Sequence, residues 1–207
     1  MTLDYLINQV AIGRTLIFDL DDTIYPEAEF LFGAYYTISL NAKTTDNSDI
    51  YDFLRNIFLV EGRKNIFEKL MKNFPSIGLS VDDCINILRS YAPKDKIKTY
   101  LWFNHFIAQM KSDYILRIVT NGNINQQKNK LNSIDLSLPK SQLDVVFANQ
   151  LEPKPAPASF WGLKNAKYFN APIYVGDSIT DFQYAKNLGI EYFDVGLLKV
   201  IDLGALS

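Results

Sequence analysis

The chain has 207 residues, 48% of them hydrophobic and 21% charged, with a formal net charge of -2 and a pI near 5.4. Those proportions exclude disordered and fibrous classes, and the slightly acidic balance offers no basic stripe for a nucleic-acid partner. The length fits one large domain, or one domain carrying a smaller insert.

No apolar run approaches the roughly 20 residues needed to cross a bilayer. The N-terminus MTLDYLINQVAIGR has an acid at Asp4 and no basic leader. The expectation is therefore a cytoplasmic protein without a membrane partner, as a monomer or homodimer. A single cysteine, Cys84, excludes an internal disulfide and reads as a small buried hydrophobe in a reducing compartment.

The first strong element is LIFDLDDTIYP, Leu16 to Pro26, an apolar run that ends in Asp19, Asp21 and Asp22. From Glu27 to Lys111 no comparable strand follows, and apolar residues recur at helical spacing. Asn47 to Phe58 and Arg63 to Phe74 read as helices. In SVDDCINILRSYA, Ser80 is the expected N-cap, with Asp83 three positions on. The segment DKIKTYLWFNHFIAQM, from Asp95, reads as one longer helix, and AKTTDNSD as a polar loop. Phe30, Phe32, Tyr35 and Tyr36 are assigned to the insert's own core in preference to a substrate pocket. His105, among Trp102, Phe103 and Phe106, is assigned a packing or surface role.

Four later runs share the form of a short apolar strand followed by small or polar residues. They are YILRIVTNG (114–122), LDVVFANQ (143–150), APIYVGDS (171–178) and IEYFDVG (190–196). Helices are expected between them at Ile124 to Ser133, Ala156 to Phe169 and Thr180 to Leu188. Continuous apolar strands alternating with helices define an α/β protein with a parallel sheet. The expected division is a core of residues 1–25 and 112–207, with a small α-helical cap inserted at 26–111.

Ligands of open parallel sheets bind at the carboxyl ends of the strands, and the chemical candidates fall there. The first strand delivers Asp19, Asp21 and Thr23; the second delivers Thr120, Asn121 and Gly122. EPKPAP supplies Lys154, and the fourth strand delivers Asp177, Ser178 and Asp181. Converging carboxylates repel one another unless a cation holds them, and an all-oxygen site suits Mg²⁺. A hydroxyl, backbone N–H groups and an ammonium are the donors that a phosphoryl group needs. Taken singly, Asp177 and Asp181 also read as helix-start acids, and Thr120-Asn121-Gly122 as a turn.

Together, DLDDT, VTNG, Lys154-Pro155 and GDSITD make the sequence resemble the haloacid dehalogenase-like (HAD) superfamily, over about residues 15–196. The resemblance implies a Rossmann-like parallel sheet flanked by helices and a C1-type cap. It also implies that Asp19 is the nucleophile, forming an aspartyl-phosphate, and that Asp21 is the general acid and then base. The Mg²⁺ would be held by Asp19, the Asp21 backbone carbonyl, Asp177 and Asp181. Thr120, Asn121, Gly122 and Lys154 would bind the substrate phosphate. Members that remove halide lack the second Asp, so its presence favours phosphate chemistry. The expected activity is a phosphatase for a small phosphorylated metabolite, such as a sugar phosphate, nucleotide or phosphoglycolate-like acid. DLDDTIYP is similar to the wording of pyrimidine-nucleotidase-like members. A phosphomutase and a non-catalytic binding protein are the alternatives. Asp22 is expected only to support a turn or cap.

Overall fold

The apolar run at Leu16 becomes the central strand β1 (Leu16–Phe18), buried on both faces. Because successive side chains point to opposite faces, Phe18 packs against the rings of Phe103 and Phe106 while Ile17 joins Val119, Tyr174 and Tyr184 on the other side. Burial of each such side chain contributes about 1.5–3 kcal/mol. The computed structural model describes residues 2–43 and 47–199.

The remaining strands are β2 (Leu116–Thr120), β3 (Leu143–Phe147), β4 (Ile173–Gly176) and β5 (Glu191–Asp194). All pair in parallel in the order β3-β2-β1-β4-β5, so the strand order reverses beside β1. This is the Rossmann-like sheet that was expected. Its switch point brings the carboxyl ends of β1 and β4 together.

Helix α1 (Leu3–Ala11) precedes β1, where the sequence reading assigns no element. Leu3, Leu6, Ile7 and Val10 supply its helical spacing, with Leu6 fully buried. The insert contains α2 (Glu27–Asn41), α3 (Asn47–Glu61), α4 (Ile66–Asn73) and α5 (Val81–Ser90). Ser80 and Asp83 form the expected reciprocal capping box at the start of α5. Residues 44–46 of AKTTDNSD lie outside the described residues, and the segment is already helical from Asn47.

The long helix expected from Asp95 is reduced to α6 (Leu101–Ala108). Its first half is diverted because Ile97 N–H donates to Ser133 (2.9 Å) and Asp135 N–H donates to Ile97 (3.0 Å), which takes up backbone groups a helix would use. Helix α6 packs on α1 and against Phe18, so the chain has returned to the sheet before residue 111. Among the described residues, the buried side chains of the insert are continuous with the core beneath the sheet. Phe30, Tyr35, Leu54, Phe67 and Cys84 belong to the same buried cluster as Leu16 and Phe18, since a small helical insert cannot enclose enough surface alone. Phe30 and Tyr35 are core residues, Phe32 is half-buried, and Tyr36 is exposed with its ring edge-on to Tyr51.

After β2 comes α7 (Ile124–Ser133), and α8 (Ile179–Leu188) lies between β4 and β5. The helix expected over Ala156 to Phe169 is instead two 3₁₀ turns, Pro157–Gly162 and Ala166–Tyr168. Between them Lys164 N–H donates to the Asp144 carboxylate (3.0 Å) and Asn165 takes φ +61°, which ends helical continuity. Cys84 is buried, its thiol pushed up to about 11 by burial, and His105 is exposed. Among the described residues no helix is long and apolar enough to cross a membrane.

Candidate active site

Asp19 follows β1 directly and extends its pairing, with its N–H donating to Val175 O (2.9 Å). Its carboxylate meets Lys154, whose Nζ donates to Asp19 Oδ1 (2.6 Å), Asp181 Oδ1 (2.7 Å) and the Tyr174 hydroxyl (2.8 Å). The Tyr174 hydroxyl in turn donates to Val119 O (2.9 Å). All four side chains are buried, so each ammonium proton has a fixed acceptor.

Asp181 serves two purposes at once. Its Oδ2 accepts from the Ser178 N–H (3.2 Å) and hydroxyl (2.6 Å), closing a capping box on α8, while Oδ1 accepts from Lys154. Asp181 thus has the helix-start role expected of it while also facing Lys154, whereas the N-cap itself is Ser178 and not Asp177. The approach of α8 to β4 requires Gly176, because a Cβ there would lie 2.7 Å from Asp181 Cβ and Cγ. Asp177 is half-buried. Its Oδ2 accepts from Lys199 (3.1 Å), which also donates to Asp22 O (2.8 Å), and its Oδ1 lies 3.5 Å from the Thr23 hydroxyl.

Asp19, Asp177 and Asp181 each present a carboxylate oxygen, all within 4.8 Å of one another. Such a hard, all-oxygen donor set fits a divalent cation. Burial, with the charges of Asp181 and Asp21, pushes the Asp19 carboxyl up to about 8 against the pull of Lys154. A bound cation would offset that repulsion. Burial also raises the Asp177 carboxyl, partly opposed by Lys199.

The Asp21 side chain lies outside this group. Its Oδ1 accepts from the Tyr25 hydroxyl (2.7 Å), and its Oδ2 accepts from Gln127 Nε2 (2.9 Å) and Lys130 Nζ (2.8 Å). Burial alone would raise this carboxyl, but the Lys130 charge and the three donors outweigh it and hold it below the usual range. Lys130 is fully buried and its Nζ also donates to Glu27 Oε1 (2.5 Å), the oxygen that accepts from Arg63 (2.6 Å). Neighbouring carboxyls thus have opposite tendencies, Asp19 upward and Asp21 downward.

Thr120 ends β2 and is buried beside the turn, with its hydroxyl 3.4 Å from Asn121 O. The Asn121 side chain is committed elsewhere. Its Oδ1 accepts from the Lys154 N–H (2.7 Å) and its Nδ2 donates to Lys154 O (2.9 Å). The Gly122 N–H donates to Asn149 Oδ1 (2.8 Å), and a Cβ at Gly122 (φ +122°) would fall 2.7 Å from Gln127 Nε2. In this geometry the Asn121 side chain and the Gly122 N–H both serve the loop, the first by holding Lys154 and the second by holding Asn149. Asp22 has the expected supporting contact, its Oδ1 accepting from the first N–H of α2 at Glu27 (3.0 Å).

Tyr25, Glu27, Gln127, Lys130, Tyr174 and Lys199 escape the sequence reading. One signal was available: Gln127 and Lys130 are three apart on α7 and share a face that an ordinary packed helix would fill with apolar residues.

The fold and site together define a doubly wound α/β protein with its carboxylate cluster at the switch point of the sheet. The chain belongs to the haloacid dehalogenase-like hydrolase family, whose model matches residues 16–195. No curated protein sequence matches the chain. Among solved structures it is similar to a HAD-superfamily hydrolase, subfamily IA, from Geobacter sulfurreducens, with 18% identity and a TM-score of 0.54 over 87% of this chain and 86% of that one. It is also similar to a protein described as a phosphoglycolate phosphatase from Lactobacillus plantarum, with 15% identity and a TM-score of 0.50, over 86% and 84%. A third is the L-2-haloacid dehalogenase of Xanthobacter autotrophicus, with 16% identity and a TM-score of 0.51, over 92% and 80%. These likenesses establish the fold.

Proposed function

We propose that the protein is a Mg²⁺-dependent phosphatase that hydrolyses a small phosphomonoester, such as a sugar phosphate or nucleotide, through an aspartyl-phosphate on Asp19. The observation that carries this reading is the second carboxylate, Asp21, held by Tyr25, Gln127 and Lys130 near Asp19. An alkoxide leaving group needs a proton, whereas a halide leaves without one.

Asp19 attacks phosphorus, the bond to the leaving oxygen breaks, and that oxygen takes the proton of Asp21. Water then gives a proton to Asp21 and attacks the acyl phosphate, releasing inorganic phosphate and restoring Asp19. Lys130 keeps the resting Asp21 as the carboxylate that this second step requires. A phosphomonoester dianion arriving beside it favours the protonated form for the first step, because like charges disfavour ionisation. Lys154 and Thr120 hold the transferring phosphoryl group, and Asn121 holds Lys154. The side chains of Asp19, Asp177 and Asp181, with the Asp21 carbonyl, would hold Mg²⁺, which supplies positive charge to the phosphoryl oxygens.

The test is phosphate release across a panel of phosphomonoesters, with Mg²⁺ and with a chelator, for the native protein and Asp19→Asn. Release that requires both Mg²⁺ and Asp19 is expected. No release from any ester despite Mg²⁺ binding overturns the reading, and interconversion of sugar phosphates without net release selects a phosphomutase.

A further inference from the structure

The proton-handling carboxyl of Asp21 is fixed by more than its own strand end. Its two oxygens meet partners of different kinds. Oδ2 accepts from an amide N–H of Gln127 and from the ammonium of Lys130, groups that can only donate there. Oδ1 accepts from the Tyr25 hydroxyl, which can turn its proton away and accept instead. The amide orientation of Gln127 follows from its surroundings, since its Nε2 faces two acceptors, Asp21 Oδ2 and Asn121 O (2.6 Å).

Lys130 has no access to solvent, and placing an ammonium there is costly unless its partners are well set. Both of its partners are acids, Asp21 at 2.8 Å and Glu27 at 2.5 Å. Phe30 lies under the ammonium, with its ring centroid 5.4 Å away. Gly122 completes the arrangement by having no side chain where Gln127 must approach. A helix packed only for stability would not spend its buried face on an amide and a charge.

We propose that Gln127 and Lys130 of α7 are positioning residues that tie down Oδ2 of Asp21 and so present Oδ1 to the leaving oxygen. Neither residue touches substrate; both act through Asp21. The inference rests on the phosphatase reading above. It assigns a catalytic consequence to the helix that follows the second strand, beyond its role as a crossover.

The experiment compares two esters that differ in their need for a proton. β-Glycerol phosphate releases an alkoxide, whereas 2,4-dinitrophenyl phosphate releases a phenolate stable without one. The quantity read is kcat/KM, which reports transfer to Asp19 and not the later hydrolysis. For Gln127→Leu and for the charge-balanced pair Lys130→Met with Glu27→Gln, kcat/KM on the glycerol ester is expected to fall at least about 30-fold, and on the dinitrophenyl ester less than about 3-fold. KM and Mg²⁺ affinity should stay within about 3-fold of the native values. Gln127→Leu leaves no buried charge unpaired and so guards against failure to fold. An equal fall on both esters, or no fall on either, overturns the assignment. If the native protein cleaves neither ester and forms no phosphoenzyme, the phosphatase reading has failed instead.

Discussion

Asn121 grips Lys154 by both of its backbone groups, at 2.7 and 2.9 Å, across 33 positions of sequence. The lysine ammonium therefore reaches Asp19 from a main chain that cannot shift independently of the turn after β2. Asn121→Ala should cost about 1–3 kcal/mol of stability. It should lower kcat/KM on a responding phosphomonoester by about 10- to 100-fold, because the ammonium loses its aim. Thermal melts and steady-state kinetics on the same preparation check this. A lowered melting temperature with unchanged kinetics would show that the grip serves only the fold.

The raised Asp19 carboxyl gives a pH signature. Since its folded value is shifted from 3.8 to about 8, the proton on Asp19 stabilises the metal-free fold at low pH, and this contribution is lost as pH rises through about 8. Mg²⁺ must displace that proton, so the rise in melting temperature caused by Mg²⁺ should grow from about pH 5.5 to about pH 8.5. In Asp19→Asn the growth should be much reduced. A Mg²⁺ effect that is flat with pH in the native protein would contradict the assignment.

Gly176→Ala tests the approach of α8 to β4. The added methyl meets Asp181 at 2.7 Å, so either the helix start or the carboxylate must move. A stability loss of about 1–3 kcal/mol is expected, together with weaker Mg²⁺ binding by isothermal titration. Unaltered Mg²⁺ affinity would remove Asp181 from the metal's surroundings.

Lys199 places a cation 3.1 Å from Asp177 Oδ2, in competition with any metal there. The pair is partly exposed, so its influence is modest, within about 1 kcal/mol. Lys199→Met should accordingly tighten Mg²⁺ binding by about two- to fivefold near pH 8. Weaker binding would instead make Lys199 a support that orients Asp177.

What could be read in the sequence was whatever depended on strand order and local spacing. Asp19, Thr120 and Asp177 sit at or just beyond the ends of β1, β2 and β4, and Ser80 and Asp83 cap α5 as their spacing implies. The features that escaped depend on contacts between distant segments. Nothing local in DKIKTYLW announces that Ile97 will pair with the end of α7. Nothing in VTNG says that the asparagine faces Lys154 while the glycine N–H turns to Asn149. Lys130 lies on a helix that is polar in sequence, and its burial is made tolerable by Asp21 together with Glu27, which arrives from the insert.

Glu27 Oε1 is shared by two cations of unequal standing. Lys130 holds it from the buried side, and Arg63, with 58% of its side chain exposed, holds it from the solvent side. Breaking the first leaves a charge stranded in the interior, whereas breaking the second returns a guanidinium to water at little cost. The start of α2 is thus tied to the last turn of α7 through a buried pair, while the turn carrying Arg63 is held to it only by a partly exposed one. Of the two contacts, the one made by Arg63, between α3 and α4, is the one that can open without uncovering a buried charge.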